Sequence, residues 1–523
     1  MRWGAVGHIE QSRDVASESF SIDSATLLIV AFGLATFVLH IATAGSYGYQ
    51  RDELYFLSCA KHLAWGYVDQ PPLIALIAKF ASTAFGDSLY ALRLLPALAA
   101  AATVVLTGRL THRLGGGLAA QTLAMLGIAL APFYLAIGNL LTMNAFEPLL
   151  WLGAVYAFLE AAESDRLAAW TSLGAIAGLG LINKYSMFFF LGACIVAIAL
   201  TPSRRALLRP GFGLSVGIAL AIVTPTLVWQ ARHGWPQLEV LHNAASGKNV
   251  SVGPAAFYLQ QVLMMNPLAA PVWVAGLIAL VRARADTPLR WYAIAYAVLS
   301  VVYVALGAKV YYLAPIYPVL FAAGARALEP RLLAMRYATT AYALVLFAGG
   351  LVIAPQAFPL LPLPAFLAYE RVFDVRGIKM EKHPEGRVPQ HFADQLGWQT
   401  LASTVATAYE RLTPSERSQA VVLTQDYGQA SAVDFFGPKF NLPRAISGHN
   451  NYYLYGTRGA SGSVVLAIGI DRARLRQEFR RIDRVATYHD DYVLPDFNDL
   501  AVYKCTGPIR PLAAWWPSQK RYI

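Results

Sequence analysis

Apolar residues run through the first two thirds of this chain in long, nearly uncharged blocks separated by short polar breaks. A helix needs about 20 such residues to cross a bilayer. Spans are expected at 24–44, 90–110, 116–137, 143–163, 167–182, 185–201, 211–229, 267–282, 290–306, 310–327 and 336–354, about eleven in all. Asn183 and Lys184 interrupt the run at 167–201. After residue 354 the pattern changes. Pro355, Pro359, Pro362 and Pro364 form a link, and a charged stretch follows. Within it, Val421-Val422-Leu423 and Val464-Val465-Leu466 predict short buried strands, Arg472 to Arg481 a helix, and Leu500 to Tyr503 a last strand. The expected architecture is an α-helical multi-pass membrane protein, with a transmembrane region at 24–354 and a small water-soluble α/β domain at 355–523.

Composition agrees. Of 523 residues, 56% are hydrophobic and only 14% charged, against about 25% charged in soluble domains. The net charge of +11 does not point to nucleic acid, because the arginines sit in short loops between apolar blocks. With residues 1–23 cytoplasmic, every inside loop is basic: Arg109 and Arg113, Arg166, Arg204 to Arg209, Arg282 to Arg290, and Arg326 to Arg336. Three segments then face outside: 45–89, 230–266 and the tail from 355. The first span is too long for the core of a signal peptide and follows acidic residues, so it reads as an uncleaved helix. The three cysteines, Cys59, Cys194 and Cys505, form no CxxC pair, and neither a G-x-G-x-x-G nor a P-loop is present.

The sharpest local feature is Arg51-Asp52-Glu53-Leu54-Tyr55 at the start of the first outside loop. Leu54 to Trp65 has helical spacing and predicts a helix lying along the membrane surface. Asp52 and Glu53 fall in its first turn, an ordinary position for helix capping. Acidic groups at a membrane boundary are also costly, and therefore candidates for function. A third carboxylate, Asp69, follows in Gly66-Tyr67-Val68-Asp69-Gln70-Pro71-Pro72.

These motifs, with Phe85-Gly86-x5-Leu92-Arg93-Leu94-x-Pro96, Asn183-Lys184-Tyr185-Ser186, Thr224-Pro225-x3-Trp229 and Lys309-x-Tyr311-Tyr312-x2-Pro315-x2-Pro318, resemble the GT-C membrane glycosyltransferases. The resemblance covers about residues 45–330 and is closest to the branch of protein O-mannosyltransferases and the lipid A aminoarabinose transferase. It implies transfer of a sugar from a polyprenyl-phosphate carrier to an extracytoplasmic acceptor (lipid A, another glycolipid, a polysaccharide or a protein), with inversion.

By the same resemblance Asp52 is the catalytic carboxylate, and Glu53 either shares that role or anchors the loop. Arg51, Lys184, Lys309, Tyr311 and Tyr312 are candidates for the donor phosphate, although Lys184 at a membrane boundary also fits a side chain snorkelling to the interface. Asn144 stands where relatives carry an aspartate, and serves either the sugar or phosphate or a helix cap, with Glu147 one turn on to provide the missing charge. Asp69-Gln70 replaces the Glu-Lys pair of the aminoarabinose transferase. The acid is shorter and the cation missing, which leaves a divalent metal, held by Asp69 and His242, open but unsupported. The second outside loop, with Trp235 and Lys248, is expected to be flexible and to close over substrate. A flippase or transporter of lipid-linked sugars and a polysaccharide polymerase or ligase are the competing classes. A transporter with inverted repeats is disfavoured, since no repeat is evident.

Overall fold

The computed structural model describes residues 23–250, 252–373, 378, 379 and 381–523. The expected cytoplasmic N-terminus lies outside them, apart from Asp23, whose carboxylate caps the first helix by accepting from the Thr26 amide at 2.6 Å.

All eleven expected spans coincide with helical segments. Ser24–Thr43, Leu89–Arg113, Met143–Ser164, Pro210–Arg232 and Ala338–Ala357 are each long and apolar enough to cross a membrane. The block at 116–137 is broken into Leu118–Ala129 and Pro132–Gly138, bent by 64°, because Pro132 starts a new helix. The run at 167–201 splits where expected, into Leu167–Asn183 and Ser186–Ala199. Helices Ala270–Arg282 and Tyr317–Leu333 touch backbone to backbone. A Cβ on Gly276 or Gly324 would overlap the carbonyl of Leu320 or Val272, the small-residue contact that packs helices closely in lipid.

Alternation of the helices places two groups of residues at opposite ends of the bundle. Arg109, Arg166, Arg204 and Arg282 lie at one end. Asp52, Asn144, Lys184 and Lys309 lie at the other.

The first loop departs from its expected form. Its helix is Arg51–Ala60, and nine of its ten residues are buried, so it does not lie along an exposed membrane surface. Leu54, Tyr55, Phe56 and Leu57 make it apolar on all sides, and it is covered by the tail. A single core joins it to helix Leu73–Phe85 and to Trp398, Val405, Tyr427 and Tyr452 of the C-terminal region. The 230–266 segment is also more ordered than expected, holding helices Pro236–Asn243 and Pro254–Met264.

The C-terminal domain is α/β, as expected. Strands β1 (Ala420–Thr424), β2 (Ala445–Ser447), β3 (Val464–Ile468), β4 (Phe479–Tyr488) and β5 (Leu500–Pro508) form one sheet in the order β2-β1-β3-β5-β4. The first three are parallel, while β5 and β4 are antiparallel. The helix expected over Arg472–Arg481 stops at Leu475, and the chain re-enters the sheet as β4. Phe479 and Ile482 bury against the sheet core while the arginines between them face solvent. β4 is thus an edge strand protected by charge. Cys59, Cys194 and Cys505 are free and buried.

Candidate active site

The site is built on the N-terminus of helix Arg51–Ala60. Gln50 and Glu53 form a capping box: the Gln50 side chain accepts from the Asp52 amide at 2.6 Å, and Glu53 Oε2 accepts from the Gln50 amide at 2.9 Å. Adjacent acids thereby take opposite fates. Glu53 points inward with no exposure. It pairs with the equally buried Arg93, through Nε at 3.0 Å and Nη2 at 2.9 Å, and accepts from the Leu141 amide at 2.9 Å. Of the two roles expected for Glu53, this geometry favours the anchor: its oxygens hold the loop to Arg93 of the second span and to Leu141, just before the fourth. Asp52 points the other way, its side chain 35% exposed, into a cavity of about 1010 Å³.

Arg51, Asp52, Asp69, Gln70, Asn144 and Lys309 all line this cavity, as do Tyr311 and Tyr312. Residues as far apart in sequence as Arg51 and Tyr312 are thus brought to one space, and Ile137, Leu140 and Met143 supply an apolar floor at the ends of the spans.

Several side chains have partners that sequence reasoning missed. Tyr427, at the start of helix Tyr427–Phe436, donates to Asp52 Oδ1 at 2.7 Å. Asp69 accepts from the Tyr55 hydroxyl at 2.8 Å and from Asn450 Nδ2 at 2.9 Å. Burial raises the Asp69 pKa above its ordinary value and Asp52 adds to this, against the Tyr55 hydrogen bond and His449. Arg51 is buried, with Nη1 3.8 Å from Asp394 and its guanidinium 5.5 and 5.7 Å from the Tyr427 and Phe497 rings. Burial pushes Asp394 up to about 6, Arg51 opposing and Asp52 and Glu381 assisting. The linking segment contributes Glu381, whose carboxylate meets Lys309 at 2.6 Å, Lys248 at 3.4 Å and His383 at 3.4 Å. Burial alone would raise the Glu381 pKa. The His383 hydrogen bond and the charges of Lys248, Lys309 and Arg51 overcome this and hold it far below the usual carboxylate range.

Lys184 does not snorkel. It turns inward, donating to Asn144 Oδ1 at 2.7 Å and Glu147 Oε2 at 2.9 Å, with its ammonium 4.4 Å from the Tyr312 ring centre. Asn144 therefore receives a charge and does not cap the fourth span, where Thr142 holds the N-cap position. Gln70 reaches the cavity, but its amide donates to Cys59 Sγ at 3.6 Å.

The donor set does not fit a metal. Both Asp69 oxygens are engaged by protein donors, His242 is exposed, and no cluster of three or more metal-ligating residues occurs among the described residues. No chemical step is assigned to one.

The cluster around Glu381 gives a direct test. Glu381→Gln keeps the shape but leaves Lys248 and Lys309 facing each other without a counter-charge. The expected cost is about 1–3 kcal/mol of stability. Inorganic phosphate should then raise the unfolding temperature of the variant more than that of the wild type. Equal phosphate effects would show that these lysines do not form an anion site.

Comparison with known proteins fits this geometry. Residues 69–229 match the model of the dolichyl-phosphate-mannose-protein mannosyltransferase family. Two curated relatives come from Rhizobium johnstonii. The lipid A galacturonosyltransferase RgtD is 25% identical over 245 residues, which is 45% of this chain and 50% of the relative. The lipopolysaccharide core galacturonosyltransferase RgtA is 28% identical over 235 residues, 43% of this chain and 46% of the relative. The matches thus span about half the length of these relatives. ArnT from Cupriavidus metallidurans shares the fold, with a TM-score of 0.61 in its apo state at 15% identity, over 92% of this chain and 98% of that one. Its undecaprenyl-phosphate-bound structure gives 0.59 at 16% identity over the same shares.

The helical bundle, the loop-borne carboxylate and the covering mixed sheet define a membrane protein of the GT-C fold. In sequence the chain is similar to the dolichyl-phosphate-mannose-protein mannosyltransferase family over residues 69–229, and in fold to ArnT.

Proposed function

We propose that this protein transfers a sugar from a polyprenyl-phosphate carrier to an extracytoplasmic lipid or glycan acceptor, with inversion at the anomeric carbon. The observation that carries this reading is the shared cavity. Asp52 presents a carboxylate to it, Lys309 and Lys248 supply cations, and its floor is apolar where the bundle meets it. A carboxylate there serves as general base toward an acceptor hydroxyl. Lysines suit a phosphate as compact point charges, and the donor phosphate would take the place of the Glu381 carboxylate against them. The names of the curated relatives make a uronic acid the first sugar to test, and lipid A or lipopolysaccharide core the first acceptors.

The deciding assay supplies the purified protein in lipid with undecaprenyl phosphate carrying labelled galacturonic acid, together with lipid A. New label on the acceptor is the expected result. Movement of the donor across the bilayer without a new glycoside would replace this reading with a flippase.

The basic end of the bundle predicts that the site faces outward. A reporter inserted in the exposed turn at Gly459 should be active only on the extracytoplasmic side. A cytoplasmic signal there would reverse the orientation.

A further inference from the structure

The C-terminal domain reaches the base itself. We propose that Tyr427 is a positioning residue for transfer, fixing Asp52 so that one carboxylate oxygen is held by the phenol and the other meets the acceptor hydroxyl. This rests on the reading of Asp52 as the base.

The geometry is specific. The Tyr427 hydroxyl donates to Asp52 Oδ1 at 2.7 Å, and Asp52 Oδ2 has no hydrogen-bond donor from the described residues. The tyrosine is itself fixed on several sides. Its ring lies 4.5 Å from that of Tyr55 and 5.5 Å from the Arg51 guanidinium. Asp426 caps its helix by accepting from the Gly428 amide at 2.6 Å, and its other oxygen lies 3.0 Å from His449 Nδ1. Burial raises the phenol well above its ordinary value, with Asp52 and Asp426 adding to the effect and Arg51 opposing it, so the hydroxyl stays a donor. No partner within the first loop does this work. The contact joins residues 375 positions apart, and the tail thereby becomes part of the reaction centre.

In the step this arrangement serves, the acceptor O–H proton passes to Asp52 Oδ2. The acceptor oxygen forms a bond to the anomeric carbon. The bond from that carbon to the phosphate oxygen breaks, and its electron pair leaves with the phosphate. Tyr427 gives up no proton. Its hydrogen bond orients the carboxylate for attack and prevents rotation into the Arg51 side, where Nε stands 3.8 Å from Oδ1.

The test is Tyr427→Phe, which keeps the ring and removes only the hydroxyl. With undecaprenyl-phosphate-linked galacturonic acid and lipid A, kcat should fall about ten- to a hundredfold, the scale of a lost hydrogen bond to a charged group. Both KM values should stay within about twofold, because substrate binding is untouched. A readout independent of turnover comes from infrared spectra of carboxyl-labelled aspartate, with Asp52→Asn identifying the Asp52 band. That band should shift in Tyr427→Phe. Wild-type kcat, a loss carried mainly by KM, or an unmoved band overturns the proposal. Full activity in Asp52→Asn would instead remove the base assignment beneath it.

Discussion

Asp52→Asn is expected to reduce transfer about 10²- to 10⁴-fold, the range that one positioned general base supplies. The substitution isolates the chemistry well. Asparagine keeps the size of the side chain and an oxygen to accept from Tyr427, so the hydrogen bond now made at 2.7 Å survives. Helix capping survives too, because the Asp52 backbone amide, not its side chain, meets Gln50. What disappears is the ability to take a proton. Donor and acceptor KM should change little while kcat collapses, the pattern of an interaction made only in the transition state. Asp52→Glu should recover only part of the rate, since its extra methylene displaces the oxygen by about 1 Å and misplacement on that scale costs about 10²-fold. Unchanged transfer by Asp52→Asn would exclude Asp52 as the base, and attention would move to Asp394 and Asp69 on the same cavity.

The parts of this molecule legible in the sequence are those set by local pattern. The spans were visible because a bilayer demands long apolar blocks. Arg51-Asp52 stood out because charge at a membrane boundary is conspicuous. Eight of the candidate residues line one cavity, since their helices end at the same side of the bundle. The partners of those residues were not legible. Tyr427, Asn450, Glu381 and Asp394 lie in a region without motif signals, and the contacts from Asn450 to Asp69 and from Tyr427 to Asp52 cross 381 and 375 residues. Only tertiary packing brings them together. The first-loop helix was misplaced for a related reason. Mixed polarity suggested a surface helix, whereas its polar members, Arg51 and Glu53, are buried with partners from other elements. At Arg472–Arg481 the helical propensity of arginine was overridden beyond Leu475 by pairing with β5.

The division of labour between the adjacent acids carries the second large expectation, on stability. Arg93→Met should destabilise the folded protein by about 3–5 kcal/mol, because it strands Glu53 as an unpaired buried charge. The pair has no exposure on either side. Arg93 also donates to the backbone carbonyls of Ala44 at 2.8 Å and Gly48 at 2.6 Å, so these acceptors lose their donor together with Glu53. Glu53→Gln should cost less, since its amide oxygen still accepts from either the Gln50 or the Leu141 amide and Arg93 keeps the Ala44 and Gly48 carbonyls. A double variant, Arg93→Met with Glu53→Met, should lose less than the Arg93→Met and Glu53→Met singles added together, by at least about 2 kcal/mol, because neither charge is left stranded. It should not recover wild-type stability. The Gln50 and Leu141 amides, which Glu53 accepts from at 2.9 Å each, would remain without a partner. Unfolding midpoints in detergent measure these variants. Strict additivity would mean that Arg93 and Glu53 act separately. The expected coupling would establish that Glu53 anchors its helix through Arg93.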